Sequence, residues 1–269
     1  MLKIAHIINP VKVKDTSDLF FAQPITFETM RRAKEFAKDK VQVSLFSAQF
    51  AEDADYAPGF FTCTPHLERS ALDLGRFQKK RKLPLLKDIL DRLYRAGDAD
   101  YFIYTNADIG LQPYFYSALA GFTAAGYDAF VINRRTLSDR FKKVAEIPLI
   151  YAEAGEVHIG HDCFVFKREA YPRFKLGNVC IGVRLVGRVL LWNLMAYAKK
   201  FEEFKDLHMT FHIGRNKPWK NPGFADYDKL NEAEAIKVLG ELNREQDFIN
   251  MLKKNHPGYL TAVNLQAFD

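Results

Sequence analysis

A chain of 269 residues that is 48% hydrophobic and 27% charged predicts a soluble globular protein, and none of its apolar runs approaches the ~18 uninterrupted residues of a membrane span. The formal net charge of +6 permits an anionic partner such as a nucleotide, a nucleic acid or a membrane surface, but it excludes no fold. The three cysteines, Cys63, Cys163 and Cys180, form no Cys-x-x-Cys pair, so we expect buried thiols in a reducing cytoplasm rather than a disulfide framework or a thiolate zinc site.

In the first half of the sequence, short apolar strands alternate with segments of helical periodicity. The apolar run LKIAHII predicts a first strand that ends at Asn9 and Pro10, and a long irregular loop is predicted over 50–75. The predicted regular elements are strand 2–8, helix 26–39, strand 41–47, helix 84–95, strand 101–105, helix 113–125 and strand 129–133. This alternation predicts an α/β protein with a mostly parallel central sheet and helices on both of its faces.

The second half of the sequence is less regular. The segment 156–174 predicts a strand, a turn, a second strand and a brief helix that stops near Pro172. A long amphipathic helix is predicted over 186–204, a strand over 207–214 and a closing helix over 231–255. The sequence contains no repeat and no low-complexity linker, so one domain is the simplest interpretation.

Two similar triplets flank the predicted strand 101–105, at residues 98–100 and 106–108. Ligands of open α/β sheets bind outside the carboxyl ends of the strands, whereas Asp98 and Asp100 precede the strand and predict a solvated turn. Asn106 and Asp108 leave the carboxyl end, and the alternation of side chains in extended structure places both on one side. The alternative is an Asx turn that caps the following helix.

Three segments, taken together, resemble GT-A nucleotide-sugar glycosyltransferases. The strand 101–105 and the triplet Asn106-Ala107-Asp108 resemble the metal-binding strand and D-x-D signature of these enzymes, with Asn106 where the first carboxylate is expected. The segment GHDCFVFKREAY is similar to the strand on which they place an acidic residue, here Asp162, beside the transferred sugar. The segment HMTFHIG is similar to the one whose late histidine completes the metal site.

The resemblance covers about residues 2–220 and implies a fold and a domain division. It implies one GT-A-like, Rossmann-like α/β domain over 1–220, and we expect 221–269 to form a C-terminal helical extension packed on it. It also implies an enzyme that transfers a sugar from a nucleotide-diphosphate sugar, with Mn²⁺ or Mg²⁺ on the diphosphate.

The resemblance also implies roles for individual residues. Asp108 would be the direct carboxylate ligand of the ion, and Asn106 would hydrogen-bond the ribose or a metal-bound water. His212, beside the Gly214 turn, would supply an imidazole nitrogen, which suits Mn²⁺ better than Mg²⁺. We expect His208 to be a packed or supporting histidine.

Asp162 has two functional interpretations and one structural one. It would recognise the sugar or, in an inverting enzyme, act as general base toward the acceptor hydroxyl, with Glu153 and Glu156 as alternative carboxylates. The structural interpretation is an aspartate that satisfies turn backbone beside Gly160.

Further residues are expected around the nucleotide. Arg76 and Lys82 before the helix 84–95, and Lys217 after His212, are candidates for the diphosphate, because guanidinium and ammonium groups both suit phosphate oxygens. Asn9 ends the first strand where the nucleotide base would bind, although a plain Asn-Pro turn explains it equally well.

The acceptor stays open between a glycan, a small molecule and a nucleic acid. A nucleotidyltransferase or sugar-nucleotide pyrophosphorylase usually has a glycine-rich basic loop after its first strand. These enzymes are disfavoured because the corresponding segment here, NPVKVKDTSD, contains no glycine. A noncatalytic nucleic-acid-binding protein has only the net charge in its favour. The glycines at 177, 182 and 187 lack the spacing of a dinucleotide-binding or P-loop motif, and we expect them to shape a loop against the sugar or the acceptor.

Overall fold

A computed structural model of the chain describes residues 1–214 and 222–261. The strands of this part of the chain are β1 (Leu2–Ile8), β2 (Val41–Ser47), β3 (Thr62–Cys63), β4 (Tyr101–Thr105), β5 (Gly110–Leu111), β6 (Ala129–Leu137), β7 (Glu156–Lys167), β8 (Phe201–Phe204) and β9 (Thr210–Ile213). They form one sheet in the order β3-β2-β1-β4-β7-β6-β9-β5, with β8 paired to β6. The α-helices are α1 (Leu19–Ala37), α2 (Leu86–Ala96), α3 (Phe115–Ala124), α4 (Ile147–Ala152), α5 (Val186–Tyr197), α6 (Ala225–Gln246) and α7 (Phe248–Asn255).

The sheet is mixed, with parallel pairing in the majority. Among the described strands, the pairings β1–β2, β1–β4, β2–β3, β6–β8 and β6–β9 are parallel. Strand β7 runs antiparallel to both of its neighbours, β4 and β6. The predicted α/β class with a mostly parallel central sheet flanked by helices is confirmed.

One face of the sheet packs against α1 and α3. Ile4, Ile103 and Phe130 point into this core and meet Met30 of α1 and Leu119 of α3. Strand β4 is buried along its whole length, because both faces of the sheet are covered there, and this is why its sequence is apolar throughout rather than alternating.

The chain divides into two compact units, which are described separately. Unit 1 comprises Met1–Leu67, Leu90–Tyr171 and Ala198–Asn216, and it contains the strands of the sheet. Unit 2 comprises Glu68–Ile89, Pro172–Tyr197 and Lys217–Asp269, and it contains α5, α6 and α7. In the described residues, no helix is both long enough and apolar enough to cross a membrane.

Several local expectations are wrong. The first helix begins at Leu19 rather than at residue 26, and the closing helix is broken at Asp247. The helix expected over 186–204 ends at Tyr197, and 201–204 is strand β8, because Phe204 stacks on Phe122 at 4.5 Å while β8 pairs with β6. Residues 156–167 form one continuous strand without the expected turn. Cys63 is exposed rather than buried, since it lies in β3 at the edge of the sheet.

Candidate active site

The site is built at the carboxyl end of β4. After Thr105 the chain turns at Asn106, whose carbonyl accepts the Ile109 amide at 3.2 Å, and then enters β5. Strand β5 pairs with β9, with Gly110 opposite Phe211. A side chain at position 110 would collide with the Phe211 ring, so only glycine permits this close approach. The pairing of β5 with β9 brings the turn after β4 beside the histidine strand.

Asp108 and His212 meet in this arrangement. The Oδ2 atom of Asp108 lies 3.3 Å from Nε2 of His212. The other ring nitrogen of His212, Nδ1, donates to the carbonyl oxygen of Gly214 at 2.9 Å. A neutral imidazole would therefore direct the Nε2 lone pair at the carboxylate. That contact requires either a proton or a cation between the two groups.

The pKa values of the two groups agree with this geometry. Burial raises the pKa of Asp108, but the charge and hydrogen bond of His212 and the charge of Arg134 lower it more, so the net shift is downward. Burial lowers the pKa of His212, but the Asp108 carboxylate raises it more, and the net shift is upward. The protein therefore favours an ionised carboxylate beside a positive charge at this position.

Asp162 forms the second half of the site. Its Oδ2 atom accepts from Nη1 of Arg134 at 2.8 Å, in an ion pair whose side chains are 8% exposed for Arg134 and 13% for Asp162. Its Oδ1 atom lies 3.5 Å from Nδ2 of Asn106. The side-chain oxygen of Asn106, Oδ1, accepts from the Tyr104 hydroxyl at 3.2 Å. Asn106 therefore connects the turn that carries Asp108 to Asp162.

Irregular strand pairing shapes this region. The register between β6 and β7 shifts on both sides of Asn133. Arg134 follows this irregularity, and its Nη2 atom lies 3.5 Å from Nε2 of His158 in addition to the contact with Asp162. Bulges of this kind re-aim side chains and are common beside functional sites.

A second buried polar cluster lies next to Arg134 and Asp162 in sequence. Nε2 of His161 lies 3.1 Å from Oε1 of Glu203, and both side chains are 8% exposed. The same Glu203 oxygen accepts from Nδ2 of Asn133 at 2.9 Å. This cluster links β6, β7 and β8, and it anchors the strands that carry the ion pair.

Arg134 is the main residue that the sequence analysis missed. It is buried, and its charge lowers the pKa of both Asp108 and His212. The signal in the sequence is an arginine pair, Arg134 and Arg135, at the end of a strand that begins as the apolar run AFVIN. Charged residues are seldom buried unless paired, and the sequence shows neither the burial nor the partner.

The residues present fit a divalent cation. The Oδ1 atom of Asp108 is buried and has no hydrogen-bond partner among the described residues, and the Nε2 atom of His212 faces the same carboxylate. Within residues 1–214 and 222–261, no group of three or more His, Cys, Asp or Glu side chains is placed to hold a metal. A cation here would therefore have two protein ligands, which suits an ion that keeps phosphate oxygens and waters in its remaining positions.

Other sequence-predicted residues lie apart from these contacts. Asp98 is 93% exposed near Lys3, and Asp100 accepts the Lys3 amide at 2.8 Å, so the predicted solvated turn is confirmed. The ring of His208 contacts Gln112 at 3.1 Å, in agreement with a packed histidine. Glu153 accepts the Ser138 amide at 2.7 Å.

The expected nucleotide-binding residues differ in their placement. Asn9 follows β1, and its Nδ2 atom donates to the Ala48 carbonyl at 2.5 Å, which ties the ends of β1 and β2 together. Arg76 and Lys82 belong to unit 2, and their expected role at the diphosphate stays a prediction. Lys217 lies outside the described residues.

Comparison with known proteins gives matches among solved structures. Neither protein-family models nor curated protein sequences match the chain. The structure of S. aureus TarS 1-349 in complex with UDP-GlcNAc matches with a TM-score of 0.52 and 9% identity, over 99% of this chain and 83% of that one. The same protein in complex with UDP matches with a TM-score of 0.52 and 8% identity, over 99% and 81% of the two chains.

A match at a lower score is to glucosyl-3-phosphoglycerate synthase from Mycobacterium tuberculosis in complex with phosphoglyceric acid. Its TM-score is 0.46 at 16% identity, over 90% of this chain and 79% of that one. The likeness to TarS, at its identity, concerns the fold. The chain thus has a GT-A-like α/β fold, with a central sheet flanked by helices, that matches the fold of TarS.

Proposed function

We propose that the chain is a glycosyltransferase that moves a sugar from a nucleotide-diphosphate sugar to an acceptor hydroxyl, with a divalent cation on the diphosphate. The observation that carries this proposal is the Asp108–His212 pair at the carboxyl end of β4, with one buried carboxylate oxygen left without a partner. In open α/β sheets this is the edge at which ligands bind. The structural likeness to TarS, which was crystallised with UDP-GlcNAc and with UDP, supports the same class of donor.

Asp108 and His212 would hold the cation, Mn²⁺ or Mg²⁺. A bound divalent ion neutralises the diphosphate leaving group as the glycosidic bond breaks. Asp108 supplies a hard oxygen ligand whose charge is already favoured at this position. His212 supplies nitrogen, and the Gly214 carbonyl fixes its tautomer by accepting from Nδ1, as in many metal-binding histidines.

Asp162 and Arg134 would act on the sugar side of the site. Asp162 is held in place by Arg134 and Asn106, and each of its oxygens keeps a further lone pair for a sugar hydroxyl. We assign Asp162 to recognition of the transferred sugar. Arg134 adds a fixed positive charge near the Asp108–His212 pair. With Asn106 in place of a second carboxylate, Arg134 would supply part of the positive charge that a cation would otherwise bring to the site.

Asn106 would serve the donor through its amide. An aspartate at this position would set two carboxylates side by side, because Nδ2 of Asn106 lies 3.5 Å from Oδ1 of Asp162. An amide donates to that carboxylate instead of repelling it. Asn106 would also hydrogen-bond the ribose or a metal-bound water, and Asn9, at the end of the neighbouring strand β1, would lie toward the base.

The proposal is tested by calorimetry with uridine and guanosine diphosphates, in the presence and absence of Mn²⁺. We expect one of them to bind and Mn²⁺ to strengthen that binding at least about tenfold, or 1.4 kcal/mol. Asp108→Asn keeps the shape of the side chain and should abolish the stimulation, whereas Asp98→Asn, at the opposite end of β4, should leave it intact. If no nucleoside diphosphate binds, the proposed function is wrong.

A screen of sugar-nucleotide hydrolysis by the full chain identifies the donor. The donor-sugar bond is attacked slowly by water in place of the acceptor, so the assay requires no knowledge of the acceptor. Asp162→Asn should reduce hydrolysis of the preferred donor while leaving binding of the free nucleoside diphosphate unchanged. Loss of both would show that Asp162 acts on the nucleotide or on the fold.

A further inference from the structure

The positive charge of the chain is concentrated in unit 2. By sequence, unit 1 has 21 Lys and Arg against 22 Asp and Glu, whereas unit 2 has 18 against 11. Within unit 2, the segments 74–87 and 172–197 contain ten basic residues and no acidic one. The unit with the candidate donor site is therefore close to neutral, and the attraction for an anion comes from unit 2.

Two loops bring these basic segments together. Leu85 and Cys180 form an isolated antiparallel bridge, and the Ile181 amide donates to the Pro84 carbonyl at 2.9 Å. The loop before Pro84 and the loop after Ile181 therefore run side by side. We call five of their cationic residues the basic surface: Arg76, Lys79, Lys80, Arg81 and Arg184.

The first turn of α6 holds the backbone of both loops. Asp226 Oδ2 accepts the Gln78 amide at 3.0 Å, and Asp228 Oδ1 accepts the Arg184 amide at 3.0 Å. Between them, the Tyr227 hydroxyl accepts the Arg81 amide at 2.7 Å.

Aromatic packing reinforces this support. The same Tyr227 hydroxyl donates to the Lys79 carbonyl at 2.8 Å, and its ring stacks on Phe77 with a centroid separation of 4.0 Å. The Arg81 guanidinium lies 4.2 Å from the centroid of the Phe224 ring. The loops are thus fixed before any ligand arrives, which lowers the entropy cost of binding.

The basic surface is not neutralised by the protein itself. No ion pair engages its five side chains within the described part of the chain, and Nε of Arg81 is buried without a hydrogen-bond partner there. Except for Arg81, which is partly buried, these side chains are exposed. Cations on neighbouring loops that lack ion-pair partners in the protein favour the approach of an anion that can contact several of them.

The surroundings of the basic surface restrict the type of anion. The exposed large hydrophobic side chains of the described residues all belong to unit 1, so the described part of unit 2 offers no apolar group to insert into a membrane. The aromatic rings beside the loops, Phe77, Phe224 and Tyr227, are used in packing and do not form the open platform on which nucleic-acid bases stack. The type of anion that remains is a polymer with repeated negative charges, which the fixed cationic loops could bind.

We infer that the basic surface binds an anionic polysaccharide and that this polymer is the acceptor. The second half of the inference rests on the proposed glycosyltransferase function. A polymer with one negative charge on each repeat can engage several cations at once, so that weak single contacts add up to useful affinity. The basic surface would thereby select the acceptor class, while the donor site in unit 1 selects the nucleotide sugar.

The test measures binding of the full chain to four probes at several salt concentrations. The probes are polygalacturonate, neutral dextran, a single-stranded DNA oligonucleotide and vesicles with anionic lipid. One variant combines Lys79→Gln, Lys80→Gln and Arg184→Gln. The matched control, Lys14→Gln with Lys40→Gln and Lys205→Gln, removes the same net charge from exposed positions of unit 1.

The expected result is salt-sensitive binding of polygalacturonate, weakened at least about tenfold in the unit 2 variant and little changed in the control. Equal losses of polygalacturonate affinity in both variants would show that only net charge matters, and would overturn the inference. Tighter binding of DNA or of vesicles than of polygalacturonate would overturn it as well.

Nucleoside diphosphate binding in the same proteins separates the two proposals. If it persists in both variants while polymer binding is lost only in the unit 2 variant, the basic surface acts on the acceptor. If no nucleoside diphosphate binds but the polymer does, the proposed function fails and the assignment of the polymer as acceptor is overturned with it.

Discussion

Arg134 and Asp162 form a buried ion pair across β6 and β7, with Nη1 and Oδ2 2.8 Å apart. Because the charge of Arg134 also lowers the pKa of Asp108 and of His212, this arginine couples the two halves of the candidate site. A buried charge is costly unless it is paired, so the pair is held together by the penalty of separating it.

Removing one partner of this pair should destabilise the fold. Arg134→Met leaves the Asp162 carboxylate buried without its cation, and we expect the free energy of unfolding to fall by about 3 kcal/mol. Arg140→Met is the matched control, because Arg140 is 68% exposed in its pair with Glu153 and should cost less than about 1 kcal/mol. Urea unfolding measures both, and equal losses would contradict the prediction.

A double variant separates stability from function. Arg134→Met combined with Asp162→Leu replaces both charges by apolar groups, and it should recover part of the stability that the single variant loses. Hydrolysis of the donor should not return with it, because both polar groups are absent. Recovery of activity in the double variant would mean that neither side chain serves the reaction.

The choice between His212 and His208 as metal ligand is testable directly. His212→Gln removes the ring nitrogen that faces Asp108, and we expect it to reduce Mn²⁺-stimulated nucleotide binding at least about tenfold. His208→Gln alters a ring that contacts Gln112 instead, and the stimulation should persist. Calorimetry with the bound nucleotide compares the two, and the reverse order would assign the metal to His208.

Asn106→Asp creates an Asp-x-Asp triplet over residues 106–108. In the presence of a chelator, repulsion from Asp162 should destabilise this variant by about 1 kcal/mol, or a few degrees in Tm. Added Mn²⁺ should raise its Tm by more than it raises that of the unchanged protein, because a second carboxylate strengthens cation binding. Thermal unfolding with and without Mn²⁺ makes the comparison, and equal Tm gains would exclude Asn106 from the metal's surroundings.

Stability should depend on pH through His6. Burial lowers the pKa of His6 to about 3, and its ring nitrogens contact the Tyr116 and Thr105 hydroxyls at 2.8 and 2.9 Å. Below pH ~6.5 the unfolded chain binds a proton that the folded protein does not, so stability falls as pH decreases toward 3. This one group contributes a slope of up to about 1.4 kcal/mol per pH unit.

The measurement is urea unfolding at a series of pH values between 4.5 and 7.5, with a chelator present. His6→Gln should flatten the dependence below pH ~6.5, whatever its effect on stability at neutral pH. Above pH 7 the free energies of unfolding of the two proteins should change in parallel with pH, because His6 is neutral in both the folded and the unfolded state there. An unchanged slope in the variant would show that His6 is not the group responsible.

Local periodicity was sufficient for much of the fold. The helices α2 and α3 and the strands β1, β2 and β4 lie where apolar spacing predicted them, since each is a regular element whose own sequence carries its period. The strand β8 was missed because Phe204 is partly buried by ring contacts with Phe122 and Phe130, which are distant in sequence. Tertiary packing overrode the helical pattern there.

The sequence alone determined where the turn with Asp108 lies, because the order of helix, strand and turn places Asp108 at the carboxyl edge of the sheet and Asp98 at the amino edge. Only the tertiary structure decided what Asp108 faces. Its contact with His212 depends on the pairing of β5 with β9, and the contact between Asp162 and Arg134 depends on irregular pairing between β6 and β7. Long-range strand register carries no local signal in sequence, so a buried arginine and its partner become visible only when the strands are side by side.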